Sequence, residues 1–120
     1  MNGIVDEFGR ALLNLRIGST NVADSLEVPV WVDTAFNGEL VVPRAMIESL
    51  NLKQSAVIRA RLADGTEVTL ESFTCILNWF GSQRAVEVIA NDGEIPLLGI
   101  GLLIGRRLVV DYSELTVSVE

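Results

Sequence analysis

Val30-Trp31-Val32-Asp33-Thr34-Ala35 is an apolar, strand-like run that ends on a carboxylate, and the chain that carries it contains no histidine. Without histidine there is no Ser-His-Asp or Cys-His nucleophile, and the usual zinc ligand set is missing too. A carboxylate at a strand end needs none of those partners if it meets a second copy of itself. Two carboxylates that share one proton activate water directly. Asp33 is therefore the first candidate catalytic group, with no metal and no cofactor expected beside it.

The bulk properties fit one small globular domain over residues 1–120. A chain of 120 residues buries roughly two-thirds of its unfolded surface. Hydrophobic residues make up 49% and charged residues 21%, a composition that folds and does not stay disordered. The net charge of −7 argues against a nucleic-acid partner, since phosphate backbones need clustered Lys and Arg and the only adjacent basic pair is Arg106-Arg107. Met1 to Gly9 is polar and acidic, unlike a secretory signal. The longest apolar run, Ile95 to Ile104, falls short of the ~20 residues that span a bilayer. A cytoplasmic protein with no membrane partner is expected by default. Cys75 is the lone cysteine, and its place in Phe73-Thr74-Cys75-Ile76-Leu77 reads as a strand interior, hence a core residue and not a reactive thiol.

Around Asp33 the chain reads as short strands separated by turns. Leu12 to Ile17 alternates apolar and polar residues, as a half-buried strand does. Leu26 to Val32 is a second strand, whose Pro29 is tolerable only near an edge or bulge. Leu40-Val41-Val42 is a third, stopped by Pro43. Apolar positions 46, 47 and 50 recur at helical spacing after that proline, which predicts one short helix over 44–51. Val57 to Leu62, Asp64-Gly65 and Glu67 to Leu70 predict a hairpin on a tight-turn dipeptide. Strands near 73–79 and 84–90 follow, joined by Gly81-Ser82. Leu97 to Ile104 has room for a helical turn, and Leu108–Tyr112 and Leu115–Val119 close the chain as strands. The architecture expected is a small, mostly β barrel with one short helix.

Asp33-Thr34-Ala35, followed by Phe36-Asn37-Gly38, resembles the active-site turn of retropepsin-like aspartic peptidases, whose usual triplet is Asp-Thr/Ser-Gly. Three further features fall in that family's order: the helix after the turn, the Asp64-Gly65 hairpin where a flap would be, and Pro96-Leu97-Leu98-Gly99, similar to the apolar-apolar-Gly element. The similarity spans about residues 12 to 112. It implies a single acid-peptidase-type β barrel, an aspartic endopeptidase activity and a peptide or protein substrate. It also implies roles: Asp33 as the catalytic carboxylate, Thr34 bracing two turns across a twofold axis, and small residues at Ala35 and Gly38 admitting substrate backbone. Asp64 and Gly65 would touch substrate from the flap. Only one such triplet exists in the chain, so a dyad requires a homodimer with Asp33 of each subunit on the axis. Leu115 to Val119, read as an exposed edge, is expected to pair with the partner's terminus.

Two positions depart from the pattern. Ala35 stands where the family usually has glycine, and Ile100-Gly101 follows Leu98-Gly99 where the family often carries a polar residue. A retropepsin-like dimer that binds a peptide or protein without cutting it is the alternative those departures raise. A third reading takes residues 36–70 alone, which resemble the swapped-hairpin fold of AbrB/MazE-like DNA-binding antitoxins; the acidic charge opposes it. The glycines at 99, 101 and 105 invite a nucleotide-loop reading, but too little chain follows for a strand–helix–strand unit, and close packing explains them better. Trp31 and Trp79, both in strand-like runs, are expected in the core or a dimer contact, with pocket lining as the lesser option.

Overall fold

The computed structural model describes residues 1–19 and 25–120. Ten strands share one sheet: β1 (Asn2–Val5), β2 (Ala11–Gly18), β3 (Leu26–Val32), β4 (Leu40–Pro43), β5 (Lys53–Arg61), β6 (Glu67–Trp79), β7 (Ser82–Asn91), β8 (Leu97–Leu98), β9 (Leu108–Asp111) and β10 (Thr116–Val119). The helices are short, α1 (Arg44–Ser49) and α2 (Ile100–Leu103). The fold is mostly β, as the strand-and-turn pattern predicts. No helix among the described residues is long and apolar enough to cross a membrane.

The spatial order is β5-β6-β7-β4-β8-β3-β2-β1-β10-β9, and a second pairing of β6 with β2 closes six of these strands into a barrel. Closure rests on two register pairs, Ile17 with Leu77 and Gly18 with Ile76. Alternation fills the interior: Leu13, Leu15 and Ile17 of β2 and Val28, Val30 and Val32 of β3 point inward with Leu40, Leu77, Val88 and Leu98. Cys75 lies in this core, and burial, helped by the nearby negative charge of Glu39, pushes its thiol up to about 12. It is inert.

β8 is the short strand that organises the site. It is inserted between β3 and β4, parallel to the first (Trp31 with Leu97, Val32 with Leu98) and antiparallel to the second (Leu40 with Leu98). The loop joining β3 to β4 must therefore pass over the end of β8. β3 is paired with β2 from Leu26 to Trp31 but meets β8 only at its last two residues. The Trp31 amide donates toward that side, to Pro96 O, so two residues earlier Pro29 lacks its N–H where β8 does not reach.

α1 begins at Arg44, with Pro43 at its N-cap, and stops two residues before the expected end. Asn51 adopts φ 56°, its amide donates to Glu48 O, and the Leu52 amide donates to Ile47 O. This is a Schellman ending with asparagine in the left-handed position, and the buried Leu52 and Ile47 supply its apolar contact.

Several sequence expectations need correction. Residues 67–79 form one continuous strand and not two, because Glu71 and Ser72 stay paired with Val57 and Ala56. The hairpin loop is three residues, 63–65, closed by Leu62 N to Thr66 O with Gly65 at φ 88°, a type I turn ending in a left-handed residue. The 79–82 turn is Phe80-Gly81, both at positive φ, one residue earlier than expected. Asn2–Val5 is a strand despite its polarity, since its pairing with Leu12 and with β10 needs backbone and little side chain. The run 115–119 is no exposed edge: β10 lies between β1 and β9 of its own chain. Nor do residues 36–70 form a separate swapped hairpin, because β4 is held inside the barrel by β7 and β8.

Candidate active site

Asp33 follows directly on β3, and backbone hydrogen bonds fix it. Its amide donates to Leu98 O at 2.8 Å, its carbonyl accepts from Phe36 N at 3.2 Å, and its Oδ1 accepts from Ala35 N at 3.0 Å. The last bond is an Asx turn, which bends the chain out of the strand. Inward positions of β3 are even-numbered, so Trp31 and Asp33 share the outer face. Asp33 is half-buried, Thr34 and Ala35 are exposed, and Trp31 keeps 41% of its surface. These residues line, with Val32 and Leu97, a shallow pocket of about 410 Å³.

The floor under the turn is built from glycine. Phe36 O accepts from Ile100 N, Glu39 O from Gly99 N, and Gly38 O from Gly101 N. A Cβ on Gly99 would run into Gly38 O and the Phe36 ring, and one on Gly101 would stand 2.9 Å from Gly38 O. A Cβ on Gly38 would meet the Phe36 ring. The 33–39 and 99–101 loops thus touch backbone to backbone, and the close-packing reading of Gly99 and Gly101 holds. Gly38 lies outside the lining of the Asp33 pocket; its missing side chain makes room for Phe36. Phe36 itself is a residue that sequence reasoning passed over, and paired glycines on two loops were the available signal.

Arg10 stands beside the pocket. Its guanidinium carbon lies 5.7 Å from the Trp31 ring centre and 5.1 Å from that of Phe8, while Nε meets Asp6 Oδ2 at 2.7 Å. Trp79, by contrast, is buried, edge-on to Phe80. The two tryptophans therefore divide between pocket wall and core.

Asp64 and Gly65 sit at the exposed tip of the β5–β6 hairpin and are not among the residues lining the Asp33 pocket. Asp64 works in the loop: Thr66 donates to it from its side chain and its amide, the latter at 2.9 Å, which holds the carboxyl below its ordinary range. One face of the hairpin carries Ile58, Leu62, Val68 and Leu70 and the other Arg59, Arg61, Glu67 and Thr69. At its root Ser55, on a bulge in β5, donates to Glu87 Oε1 at 2.6 Å, and the fully buried Ser72 donates to the same oxygen. These two bonds hold the Glu87 carboxyl below the usual glutamate range. Glu39, just before β4, ties in, accepting from Glu87 N at 3.0 Å and from Arg84 at 3.1 Å.

The fold matches known structures. The retropepsin-like aspartic protease from Rickettsia conorii superposes with a TM-score of 0.65 over 98% of this chain and 86% of its own, at 17% identity. The chain has the retropepsin-like fold. The EIAV protease, solved with the inhibitor HBY-793, matches at 0.58 over 83% of this chain and 92% of its own, with 20% identity. The protease of simian foamy virus (mac) matches at 0.54 over 77% and 92%, with 15% identity. No protein-family model and no curated protein sequence matches the chain. At these identities the retropepsin-like likeness is one of fold, and the chemistry rests on the residues described above.

Proposed function

We propose that this chain is an aspartic endopeptidase that works as a homodimer, hydrolysing peptide bonds with water held between the Asp33 carboxylates of two subunits. The observation that carries this is the fixing of Asp33: backbone bonds to Leu98 and Phe36 hold it at the mouth of a pocket walled by Trp31 and Leu97. One copy contributes one such carboxylate. Two of them a few ångströms apart cannot both ionise, so the pair carries one proton. The charged carboxylate takes a proton from water as the water oxygen bonds to the peptide carbonyl carbon. The neutral one gives its proton to the carbonyl oxygen. Collapse of the tetrahedral intermediate breaks the C–N bond, and a proton passes to the departing amine. In this reading Thr34, which is exposed, braces the two turns across the axis, and the β5–β6 hairpin covers substrate.

A second reading, a dimer that binds a peptide or protein partner without cleaving it, is favoured by one observation. Ala35 places a methyl group in the wall of the Asp33 pocket. The deciding experiment is a peptide-library digestion at pH 3–8, with and without a statine-type inhibitor, on the wild type and on Asp33→Asn. The endopeptidase reading expects inhibitor-sensitive cleavage in the wild type and a fall of roughly 10²–10⁴-fold or more in the variant. Undiminished cleavage by Asp33→Asn would place the activity elsewhere. Silence in a dimeric wild type that still binds peptide supports the second reading.

A further inference from the structure

We propose that Glu87 is a positioning residue whose carboxylate is the fixed post to which Ser55 latches the β5–β6 hairpin, so that the Ser55–Glu87 bond governs how readily the hairpin lifts. The endopeptidase reading, on which this rests, supplies what the hairpin covers, a substrate at Asp33. The strand pairing supplies where the hairpin bends.

Pairing changes character at one row of the sheet. β6 is paired with β7 from Trp79 back to Ser72, opposite Ile89, and no further. Residues 67–71 of β6 have only β5 for a neighbour, and β5 is the end strand of the sheet. Residues 57–61 and 67–71 therefore form a two-stranded ribbon, with Val57 and Ile58 exposed. A ribbon of two strands has little stability of its own, so its position depends on how its root is held.

The root is where β5 bulges. The register steps from Gln54–Phe73 to Ala56–Ser72, which leaves Ser55 without a partner residue. Its hydroxyl reaches across β6 and donates to Glu87 Oε1 on β7 at 2.6 Å. Ser72, between them on β6, donates to the same oxygen and lies 3.2 Å from the Ser55 hydroxyl. Ser72 is the one buried polar side chain among the described residues. A buried hydroxyl is costly unless bonded, and Glu87 is what it bonds.

The three groups differ in their freedom to move. Glu87 belongs to a strand paired on both sides, with β6 and with β4, and its amide donates to Glu39 Oε1 at 3.0 Å. Glu39 is itself fixed. Its Oε2 accepts from Arg84 at 3.1 Å, and its carbonyl accepts from Gly99 N at 2.9 Å, next to Leu98, whose carbonyl holds Asp33 N. Glu87 thus stands on the frame that carries the candidate catalytic carboxylate. Ser72 stays with β7 through backbone pairing. Of the three, Ser55 alone rides on an end strand at a bulge, where backbone angles change most freely. Lifting the ribbon breaks the Ser55–Glu87 bond and leaves the Ser72–Glu87 bond in place. The hairpin swings without dragging Asp33.

The test is amide-nitrogen relaxation dispersion on the whole chain, which detects sparsely populated forms on the microsecond-to-millisecond scale and needs no substrate. Ser55→Ala removes the latch at an exposed position, where alanine is no threat to folding. The expected result is exchange shared by the amides of 57–61 and 67–71, with the lifted form roughly tenfold more populated than in the wild type, while barrel amides such as Leu15 and Val88 stay flat. Ser55→Thr keeps the hydroxyl and should match the wild type. Ser55→Asp sets a second carboxylate against Glu87 and should lift the ribbon further. Glu87→Gln, with a neutral acceptor, should fall between wild type and Ser55→Ala. Ribbon amides unchanged in Ser55→Ala, or Ser55→Thr as loose as Ser55→Ala, overturn the latch. So does exchange spread equally over the barrel, which marks a general loss of stability. A latch that behaves as expected in a chain that cleaves no peptide upholds the proposal and counts against the endopeptidase reading alone. Ribbon amides indifferent to Ser55→Ala in an inhibitor-sensitive peptidase do the reverse.

Discussion

The amide of Asp33 donates to the carbonyl of Leu98 at 2.8 Å, so the candidate catalytic turn hangs from β8, whose next residue is Gly99. Any change that pushes the 99–101 loop away must move Asp33. Gly99→Ala would drive a methyl group into Gly38 O and Phe36, a clash with backbone that cannot swing aside. The expected loss is about 1–3 kcal/mol in denaturant unfolding, accompanied by loss of peptidase activity. Gly105→Ala tests a different cost. Nothing lies within 4 Å of its Cβ, but its φ of 82° strains an alanine by about 1–2 kcal/mol, and activity should persist.

Ala35 divides the two functional readings. Ala35→Gly opens the pocket wall beside Asp33 and should raise peptide cleavage, or create it if the wild type is silent. Added freedom of the unfolded chain should lower stability by about 0.4–1 kcal/mol. Side-by-side turnover of wild type and variant at pH 3–8 is the measurement. A variant slower than the wild type would show that the methyl group is not the obstacle.

Glu87 links the hairpin root to β7. Its carboxyl sits below the ordinary glutamate value of about 4.5 in the folded chain, first through Ser55 and then through Ser72. A depressed carboxyl stabilises the fold above its unfolded pKa, and that contribution is lost as pH falls through the folded value. Glu87→Gln should therefore be less stable than wild type at neutral pH, with the gap closing on acidification below about pH 4. Chemical denaturation at several pH values measures it. A gap that widened in acid would contradict the assignment.

Asn51 holds a left-handed backbone at the end of α1. Asn51→Gly should be neutral or slightly stabilising, while Asn51→Val should cost about 1–2 kcal/mol because a β-branched residue resists that conformation. Thermal unfolding of the two variants checks the order.

The barrel was legible where alternation was strong. Leu26–Val32 and the strand over 12–17 follow from inward valines, leucines and isoleucine, and Asp33 from its place at the end of that run. Asn2–Val5 was not legible, because a strand held between two neighbours by its backbone needs no apolar code. The pairing of β10 with β1 and β9 was hidden for a related reason: clean alternation in Leu115–Val119 marks a strand but not its partners. At the site, Trp31 and Leu97 become pocket walls only once β8 is inserted beside β3, a contact between distant segments that local pattern does not encode. The role of Gly38 went the same way, since its neighbour Phe36 is two residues off while the loop it seats lies at 99–101.

Barrel closure through Ile17–Leu77 and Gly18–Ile76 joins residues about 60 apart in sequence, and β1 finds β10 almost a full chain length away. Such contacts carry a large loop-closure cost before they return any energy, which places folding on the millisecond-to-second side of small-domain rates. During synthesis, one side of β1 stays without its strand until residues 116–119 have been made. Until then the nascent chain exposes a pairing-competent edge, and a helper that covers it would raise the yield of folded protein.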